Sequence, residues 1–476
     1  MMAATGAKKK APNAHSGGGR LRTAGEADGS GESQHGGMWN LLLLAVAPSA
    51  LQLPAELPLV CDQLARRALR EGGVPGLSLA IAADGRVVLE RAYGFADPVA
   101  GLVMQNDTRL PLGSLERPLL ASLVLAAQAE ERLKLDDPLS KVLKDCPEAW
   151  KELRLEQILA GTSGLTSTSD LVRALAARGD DDPLDRAGFL QLAGGLPLAF
   201  TPGTRQVHDS IGWRLVPWIL ADAFGEPMDK LILTQLCSVA ELEHTGACPD
   251  ELRPVGHARD CRELDTGLER QLFVAAEPRE LRMGLCSTPG DVLRWWNAVV
   301  DERLPAQRIR SSSRFLDGKP TGHGLGLSIE TLGGEPRWLH DGGIGGFRAS
   351  FGASASSGAA VCVLATCASA PTGQIEEELE RFCAGLPPLN DLRLPVDAAR
   401  AQDWVGDYQL GTTQVKLFFR DDALVYQSPS EELVLSWQGL GRFRSGELEL
   451  QLQPAQGRAE GFAERRRGAE SRARRL

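Results

Sequence analysis

The sequence predicts an α+β fold, in which helices pack against an antiparallel sheet and a small β unit follows at the C-terminal end. Three observations lead to this prediction. Leu57 to Arg70 and Pro118 to Leu133 have the apolar spacing of helices. Short apolar segments between Leu325 and Thr366 are separated by glycine-rich turns, which is typical of consecutive strands. Beyond Pro388, short strand candidates follow one another closely.

The length and composition of the chain restrict the class of protein. Its 476 residues, 43% of them hydrophobic, are enough to bury a large core and favour two or three structural units. The 52 Lys and Arg residues are outnumbered by 62 Asp and Glu residues, which gives a formal net charge of -10. A general nucleic-acid-binding protein would present a basic face, so this class is excluded.

Two N-terminal segments are predicted to lie outside the folded core. Residues 1–37 are rich in Gly, Ala, Ser and Lys and contain a single Leu, so we expect a disordered head. Residues 38–56 contain a short apolar block from Leu41 to Ala47. This block is too short to cross a membrane and resembles the core of a signal peptide, so it allows a secretory or anchored form without an integral membrane domain.

The first folded elements are predicted to be a helix and a hairpin. The helix from Leu57 to Arg70 ends before Gly72-Gly73, a pair that stops helices. Two apolar runs, Leu77 to Ala82 and Val87 to Ala92, flank Asp84-Gly85, a dipeptide that suits a tight turn with positive φ. These runs therefore predict two antiparallel strands.

The remaining elements are a second helix, a strand-rich segment and the final β unit. Pro118 to Leu133 is dominated by Ala and Leu and has no internal Gly, which predicts a buried helix of about four turns. The strand-rich segment contains Leu325 to Glu330, Trp338 to His340, Phe347 to Phe351 and Ala360 to Thr366, followed by a helix from Gln374 to Ala384. The final unit contains Val405 to Leu410, Val415 to Phe419, Ala423 to Gln427, Leu433 to Trp437 and Leu448 to Leu452.

Charged and metal-binding residue types do not predict a cofactor. The arginines between Arg465 and Arg475 form a basic tail over residues 463–476, which we expect to be solvated or to dock a partner. The nine cysteines include no C-x-x-C pair, so neither a zinc site nor a disulfide framework is indicated. The seven histidines are scattered, and no nucleotide-binding motif occurs, so we expect no metal and no cofactor.

Ser114 lies just before the helix predicted from Pro118 and has two interpretations. Ser is a favoured helix N-cap, and a Pro in the first turn fits a helix start. Alternatively, Ser114 is a nucleophile at the positive end of the helix dipole, with Arg117 one turn later as its partner. The local sequence is compatible with both.

Eight short segments between residues 74 and 347 bear on this choice because they match the motifs of one family in order. They are Val74–Leu77 with Tyr93-Gly94, Arg109–Pro118, Leu135–Leu139, Leu159–Leu165, Pro202–Thr204 with Gly212-Trp213, Met283–Asp291, Gly322–Gly326, and His340–Gly343 with Gly346-Phe347. Together they resemble the serine β-lactamase-related hydrolases, which include class C β-lactamases, penicillin-binding carboxypeptidases and related esterases. The resemblance implies a β-lactamase/transpeptidase-like fold over residues 57–385, with an all-helical subregion. The unit at 390–462 resembles a small lipocalin-like β domain.

The resemblance also assigns the candidate catalytic residues. Ser114 matches the nucleophile of the Ser-x-x-Lys motif, but Arg117 stands in the place of its lysine. His208 and Ser210 stand in the places of the tyrosine and asparagine of the Tyr-x-Asn motif. Because an arginine guanidinium stays protonated, Arg117 can orient or polarise but cannot act as a general base. Loss of a general base lowers a rate by about 10²–10⁴-fold.

His208 offers an alternative base because imidazole titrates near neutrality. In one interpretation it takes the proton of Ser114 directly and forms a Ser-His pair. In the other it is a partly exposed loop histidine beside Asp209.

His340, Gly342 and Gly343 belong to the segment that resembles the edge strand of the family's site. The resemblance implies that the backbone N–H groups of Ser114 and Gly343 form an oxyanion hole, which depends on backbone geometry. His340 would help to hold an anionic substrate group, or it is a strand histidine that bonds to a neighbour.

Two functions follow from this set of residues. The first is a serine hydrolase with an impaired active site, which acts through an acyl-Ser114 intermediate on a small ester or amide. The second is a catalytically inactive pseudoenzyme that binds a peptide or protein partner in the old cleft. Because the family's lysine, tyrosine and asparagine are all substituted, the sequence favours the pseudoenzyme over an efficient catalyst.

Overall fold

A computed structural model of the chain describes residues 53–476 apart from 99, 167, 179–183, 209, 210, 249–283, 345 and 397. The predicted head at 1–37 and the apolar block of the 38–56 segment lie outside these described residues, as does Ser210.

The core of the larger domain is an antiparallel sheet of seven strands in the order β3-β2-β1-β10-β9-β8-β7, beside a small sheet in the order β4-β6-β5. In chain order the strands are β1 (Gly76–Ala83), β2 (Arg86–Asp97), β3 (Leu102–Val103), β4 (Leu110–Pro111), β5 (Gly246–Ala247), β6 (Leu285–Ser287), β7 (Ser328–Leu332), β8 (Glu335–Ile344), β9 (Phe347–Ser354) and β10 (Ala359–Ala365).

The predicted hairpin is formed by β1 and β2. Asp84 and Gly85 at its turn have φ values of 50° and 72°, the left-handed conformation that this dipeptide tolerates. Every residue of β1 is buried, and β10 is likewise buried throughout. The two strands therefore form the centre of the sheet and are covered on both faces.

Helices cover both faces of this sheet. They are α1 (Leu57–Arg70), α2 (Glu116–Ala129), α3 (Leu139–Val142), α4 (Leu155–Leu159), α5 (Thr168–Arg178), α6 (Arg186–Gly194), α7 (Ile211–Phe224), α8 (Met228–Leu231), α9 (Ser238–Ala240), α10 (Pro289–Val300), α11 (Thr372–Cys383) and α12 (Ala398–Ala401). One face packs against α10, α2 and α7 in a shared core, and the other against α1 and α11. The segment from α3 to α9 is the helical subregion that the sequence predicts.

Helix α2 begins and ends earlier than predicted. A 3₁₀ turn at Gly113–Leu115 leads into it, and it ends at Ala129 because Glu131 takes a left-handed φ of 57°. The N–H of Arg132 then donates to the carbonyl of Ala127 over 2.9 Å, which closes the helix end. Leu133 is buried beyond this turn, so its apolar character reflects core packing outside the helix.

Strand β7 also differs from its prediction, since it begins at Ser328 and not at Leu325. Gly326 has a φ of 82°, and a Cβ placed on it would lie 2.9 Å from the backbone N of Pro118. The chain therefore bends against the start of α2 before it can enter the sheet.

The C-terminal unit is a closed barrel of eight antiparallel strands. Its strands are β11 (Gly406–Leu410), β12 (Thr413–Arg420), β13 (Ala423–Gln427), β14 (Glu432–Gly439), β15 (Arg442–Ser445), β16 (Leu448–Gln453), β17 (Gly461–Arg466) and β18 (Ala469–Arg475). The interior is filled by buried aromatic side chains, among them Tyr408, Trp437, Phe443 and Phe462. Residues of the barrel and of helices α1 and α11 share one hydrophobic core.

The basic tail expected at 463–476 is instead part of this barrel. Strand β18 pairs with both β17 and β11 and so closes the barrel. Ala473 points inward and is buried, while Arg475 donates to the carbonyl of Ala459 over 2.9 Å. The run of arginines concealed this strand because five of its seven side chains are polar or charged and only Ala473 is buried.

The cysteine spacing indicated no disulfide framework, but one disulfide occurs in the described part of the chain. Cys248 and Cys286 form a disulfide between residues 38 positions apart. Cys286 lies opposite Gly246 across β5 and β6, so strand pairing brings the two cysteines together. A spacing of this length carries no local signal.

None of the helices in the described part of the chain is both long and apolar enough to cross a bilayer.

Candidate active site

Ser114 lies in the 3₁₀ turn at Gly113–Leu115, which is braced from strand β6. The N–H of Leu112 donates to the carbonyl of Leu285 over 2.9 Å. The N–H of Leu285 in turn donates to the Glu116 carboxylate over 2.8 Å. Helix α2 has Leu115 as its N-cap, without a side-chain capping bond, so the interpretation of Ser114 as the cap is wrong.

The glycines of β8 pack directly against this turn. A Cβ placed on Gly342 would lie 1.9 Å from the carbonyl oxygen of Leu112. A Cβ placed on Gly113 would lie 2.7 Å from the amide nitrogen of Gly343. Any side chain would separate the two segments, so the glycines are what allow Ser114 and the Gly343 amide to approach one another.

Alternation along β8 decides which of its side chains face the turn. Asp341 accepts a hydrogen bond from the Ser350 hydroxyl and lies beside Gly373 of α11, on the opposite face of the sheet. His340 and Gly342 point to the other face, towards Ser114. Asp341 is therefore not part of the cleft.

His208 contacts both Ser114 and Arg117. Its Nε2 lies 3.4 Å from the hydroxyl oxygen of Ser114, and its Nδ1 lies 3.2 Å from Nη1 of Arg117. The N–H of Val207 donates to the carbonyl of Gly161 over 2.9 Å, and a Cβ on Gly161 would lie 2.4 Å from the Val207 oxygen. Because Gly161 has no side chain, the segment that carries His208 can approach Ser114.

Arg117 is nearly fully buried, with 5% of its surface exposed. Its guanidinium lies 5.7 Å from the ring centre of Trp213 on α7, a distance suited to a cation–π contact. A Cβ on Gly326 would lie 3.0 Å from the Arg117 carbonyl carbon. The residue is therefore fixed by packing from both α7 and the segment before β7.

Two histidine rings face one another across the cleft and are uncharged at neutral pH. The ring centres of His208 and His340 are 5.9 Å apart. His208 keeps an exposed surface, and His340 is half-buried. Partial removal of the rings from water, followed by the positive charge of Arg117, lowers the pKa of His208 to about 4 and that of His340 to about 3. Nδ1 of His340 is buried and lies beside the backbone of Asp341.

The structure thus brings Ser114, Arg117, His208, His340, Gly342 and Gly343 together, while Ser210 lies outside the described residues. Within the described ranges, no group of three or more His, Cys, Asp or Glu side chains is placed to hold a metal ion.

Sequence reasoning missed two contributors to this geometry. Glu116 is buried with 5% exposure, and its only sequence signal is an acid at the start of an apolar helix. His323 belongs to the cleft's electrostatic environment, because its charge would lower the pKa of both His208 and His340. Its position in a Gly-His-Gly segment gives no sign of this role.

Comparison with known proteins agrees with the motif pattern. Residues 61–385 match the sequence model of the family described as Beta-lactamase. The chain is 23% identical over 347 residues to a D-aminopeptidase of Brucella anthropi, covering 71% of this chain and 64% of the relative. It is 24% identical over 284 residues to a D-aminopeptidase of Brucella canis, covering 58% of this chain and 53% of the relative. The chain thus spans about half to two thirds of the length of these curated relatives.

Solved structures share the fold at low sequence identity. The octameric penicillin-binding protein homologue from Pyrococcus abyssi matches with a TM-score of 0.56 and 18% identity, over 87% of this chain and 98% of its own. A β-lactamase/D-alanine carboxypeptidase from Yersinia pestis matches with a TM-score of 0.53 and 17% identity, over 69% and 98% respectively. A D-stereospecific amidohydrolase from Streptomyces matches with a TM-score of 0.52 and 20% identity, over 68% and 98%. The chain therefore belongs to the Beta-lactamase family of serine β-lactamases and penicillin-binding-protein-like hydrolases.

Proposed function

We propose that this protein is a serine-hydrolase homologue with an impaired active site, which acylates Ser114 slowly with a small ester or amide. The observation that carries the proposal is the position of Arg117. Its guanidinium takes the place of the family's lysine and lies 3.2 Å from Nδ1 of His208. Ser114 therefore has a cleft and a strand beside it, but an obligate cation where a proton acceptor is needed.

The parts that bind and polarise an acyl group are supported by backbone geometry. The Gly343 amide lies against the Gly113–Leu115 turn, which supports a hole in which the N–H groups of Ser114 and Gly343 would bind one carbonyl oxygen. Each such donor contributes about 2.7–4 kcal/mol to transition-state stabilisation in working hydrolases. This contribution does not depend on Arg117 or His208, so some acyl transfer is expected without an efficient base.

The parts that move the proton are altered. With Arg117 permanently charged, general-base assistance worth about 10²–10⁴-fold is missing unless His208 supplies it. The 3.4 Å separation between Ser114 Oγ and His208 Nε2 is longer than a strong hydrogen bond. We therefore expect turnover far below that of an enzyme with the complete motif set.

The relatives indicate which substrates to try first. D-aminopeptidases and a D-stereospecific amidohydrolase act, by their names, on D-configured amide substrates. We propose short D-amino-acid amides and activated esters as the first acyl donors for this cleft.

Covalent labelling tests the proposal. Full-length protein is incubated with a fluorophosphonate or a penicillin, and intact mass is followed over time. We expect slow addition of one adduct to the wild-type protein and none to Ser114→Ala, with Ser122→Ala as the matched control serine on α2. Equal absence of labelling in the wild-type protein and in Ser114→Ala would remove the proposal.

A second function is a pseudoenzyme that binds a peptide in the same cleft. Strand β7 pairs with β8 only as far as Leu339, so residues 340–344 extend beyond it and offer an edge to an incoming strand. Such pairing uses backbone groups and needs no proton transfer.

The double reversion Arg117→Lys with His208→Tyr separates the two functions. It is assayed with a chromogenic cephalosporin and a p-nitrophenyl ester. Hydrolysis that appears only in the revertant favours the pseudoenzyme, whereas hydrolysis that falls favours a working Ser114–His208 pair.

A further inference from the structure

We infer that Arg117 holds His208 in the tautomer that carries its proton on Nε2, so that the ring donates a hydrogen bond to Ser114 and cannot accept the serine proton. This inference rests on the proposed role of Ser114 as the acylated residue. It makes Arg117 a positioning residue that acts on the nucleophile through His208.

The contact between Arg117 and Nδ1 of His208 determines which of the two groups donates. Nη1 of Arg117 lies 3.2 Å from Nδ1 of His208. A guanidinium has only N–H donors and no acceptor, so in this contact the arginine donates and Nδ1 accepts. An Nδ1 that accepts cannot carry a proton.

The His208 ring carries one proton and not two. An imidazolium would point an Nδ1–H at the Nη1–H of Arg117, placing two donors and two positive charges together. Burial and the charge of Arg117 both lower the pKa of His208, in agreement with a neutral ring at pH 7. A neutral imidazole has a single proton, which must then lie on Nε2.

Ser114 receives the hydrogen bond from the other ring nitrogen, Nε2. The contact of 3.4 Å between Nε2 and the hydroxyl oxygen then runs from the ring N–H to the serine. Nε2 has no free lone pair in this tautomer, so it cannot remove the hydroxyl proton as the serine attacks a carbonyl. In a Ser-His-Asp triad, the wrong histidine tautomer alone lowers kcat by about 10⁴-fold.

A substitution at position 117 could reverse the tautomer of His208. A side chain at position 117 that accepts a hydrogen bond would favour a proton on Nδ1 and free the Nε2 lone pair for Ser114. Glutamine offers a carbonyl oxygen for this purpose, whereas methionine offers neither a charged donor nor a strong acceptor. Arg117→Gln and Arg117→Met are therefore a matched pair that separates removal of the cation from selection of the tautomer.

The tautomer is measured directly by nitrogen NMR on full-length protein with ¹⁵N-labelled histidine at pH 7. The His208 signals are assigned by their loss in His208→Ala. We expect a protonated Nε2 and an unprotonated Nδ1 in the wild-type protein, and the reverse in Arg117→Gln. A wild-type ring protonated at Nδ1 overturns the inference, and this result needs His208→Ala only for the assignment and requires no activity.

Acylation kinetics provide the second readout, with p-nitrophenyl acetate as the probe. We expect Arg117→Gln to acylate at least about tenfold faster than the wild-type protein, Arg117→Met to gain less, and the gain to vanish in Arg117→Gln with His208→Ala. An equal gain with and without His208 overturns the inference. If the tautomers are as expected but no variant labels at Ser114, the proposed function fails while the assignment of the ring proton stands.

Discussion

Two buried arginines next to the same strand have opposite surroundings. Arg337 on β8 is 5% exposed and contacts the carboxylates of Glu376 and Glu380 on α11. Arg117, equally buried, faces the neutral rings of His208 and His340 on the cleft side. Facing acids raise the pKa of Arg337, whereas the charge of Arg117 lowers the pKa of both histidines. Arg337 therefore neutralises buried acids within the fold, whereas Arg117 adds a positive charge beside the two histidines of the candidate site.

The largest expected effect comes from removing the structural arginine. Arg337→Met leaves Glu376 and Glu380 facing one another in a buried position, which is expected to lower the free energy of unfolding by about 3–5 kcal/mol. Denaturant unfolding of the full chain measures this change. The control is Arg381→Met on α11, because the Arg381 guanidinium lies 3.9 Å from the carboxylate of Glu377. A comparable loss of unfolding free energy in this control would contradict a larger contribution from Arg337.

A smaller loss is expected from the close packing of β8 against the Ser114 turn. Gly342→Ala would force a Cβ to within 1.9 Å of the Leu112 carbonyl, so we expect a loss of about 1–3 kcal/mol together with loss of labelling at Ser114. Gly343→Ala is the matched control for stability, because the nearest atom to its Cβ would be the flexible end of Arg348, at 2.9 Å. Equal losses of unfolding free energy in the two substitutions would contradict this description of the packing.

The cleft arginine is expected to affect titration more than stability. In Arg117→Met the pKa of His208 should rise above about 4, because a neighbouring charge has been removed, yet stay below its ordinary value because burial, the larger cause, persists. Histidine NMR titration measures this change. A His208 pKa that is unchanged would show that the two side chains are not in contact in solution.

The two histidines of the site also predict a dependence of stability on pH. The folded-state pKa values of His208 and His340, about 4 and about 3, lie below the ordinary value, so the folded state resists protonation. Their contribution is complete above pH 6.5 and is lost as the pH falls towards 3. Unfolding of His340→Gln should therefore be less sensitive to pH over this range than unfolding of the wild-type protein, and equal slopes would speak against a desolvated ring.

Local signals predicted those parts of the fold that depend on neighbours in sequence. The hairpin at Asp84-Gly85, helix α1 and the strands of the central sheet follow from turn chemistry and apolar spacing. Strand β18 was missed because it has no apolar alternation, since only Ala473 is buried, and because its pairing with β11 joins segments that lie far apart in the chain. The Cys248–Cys286 disulfide was missed for the same reason, since the pairing of β5 with β6 creates it.

The candidate site shows a similar limit. Motif spacing nominated Ser114, Arg117, His208 and His340, and the fold brings them into one cleft. Spacing cannot show which nitrogen of His208 meets which neighbour, because that depends on ring orientation. The direction of proton transfer at Ser114 depends on this orientation.

The closed barrel has a consequence for how the gene tolerates truncation. A stop codon just before Ala469 would delete β18, so β11 would keep only β12 as a neighbour and β17 would keep only β16. Two bare edges of this kind invite intermolecular pairing and aggregation. Because the barrel shares its core with α1 and α11, such a deletion is expected to reduce the yield of the folded larger domain although it removes no residue of the candidate site.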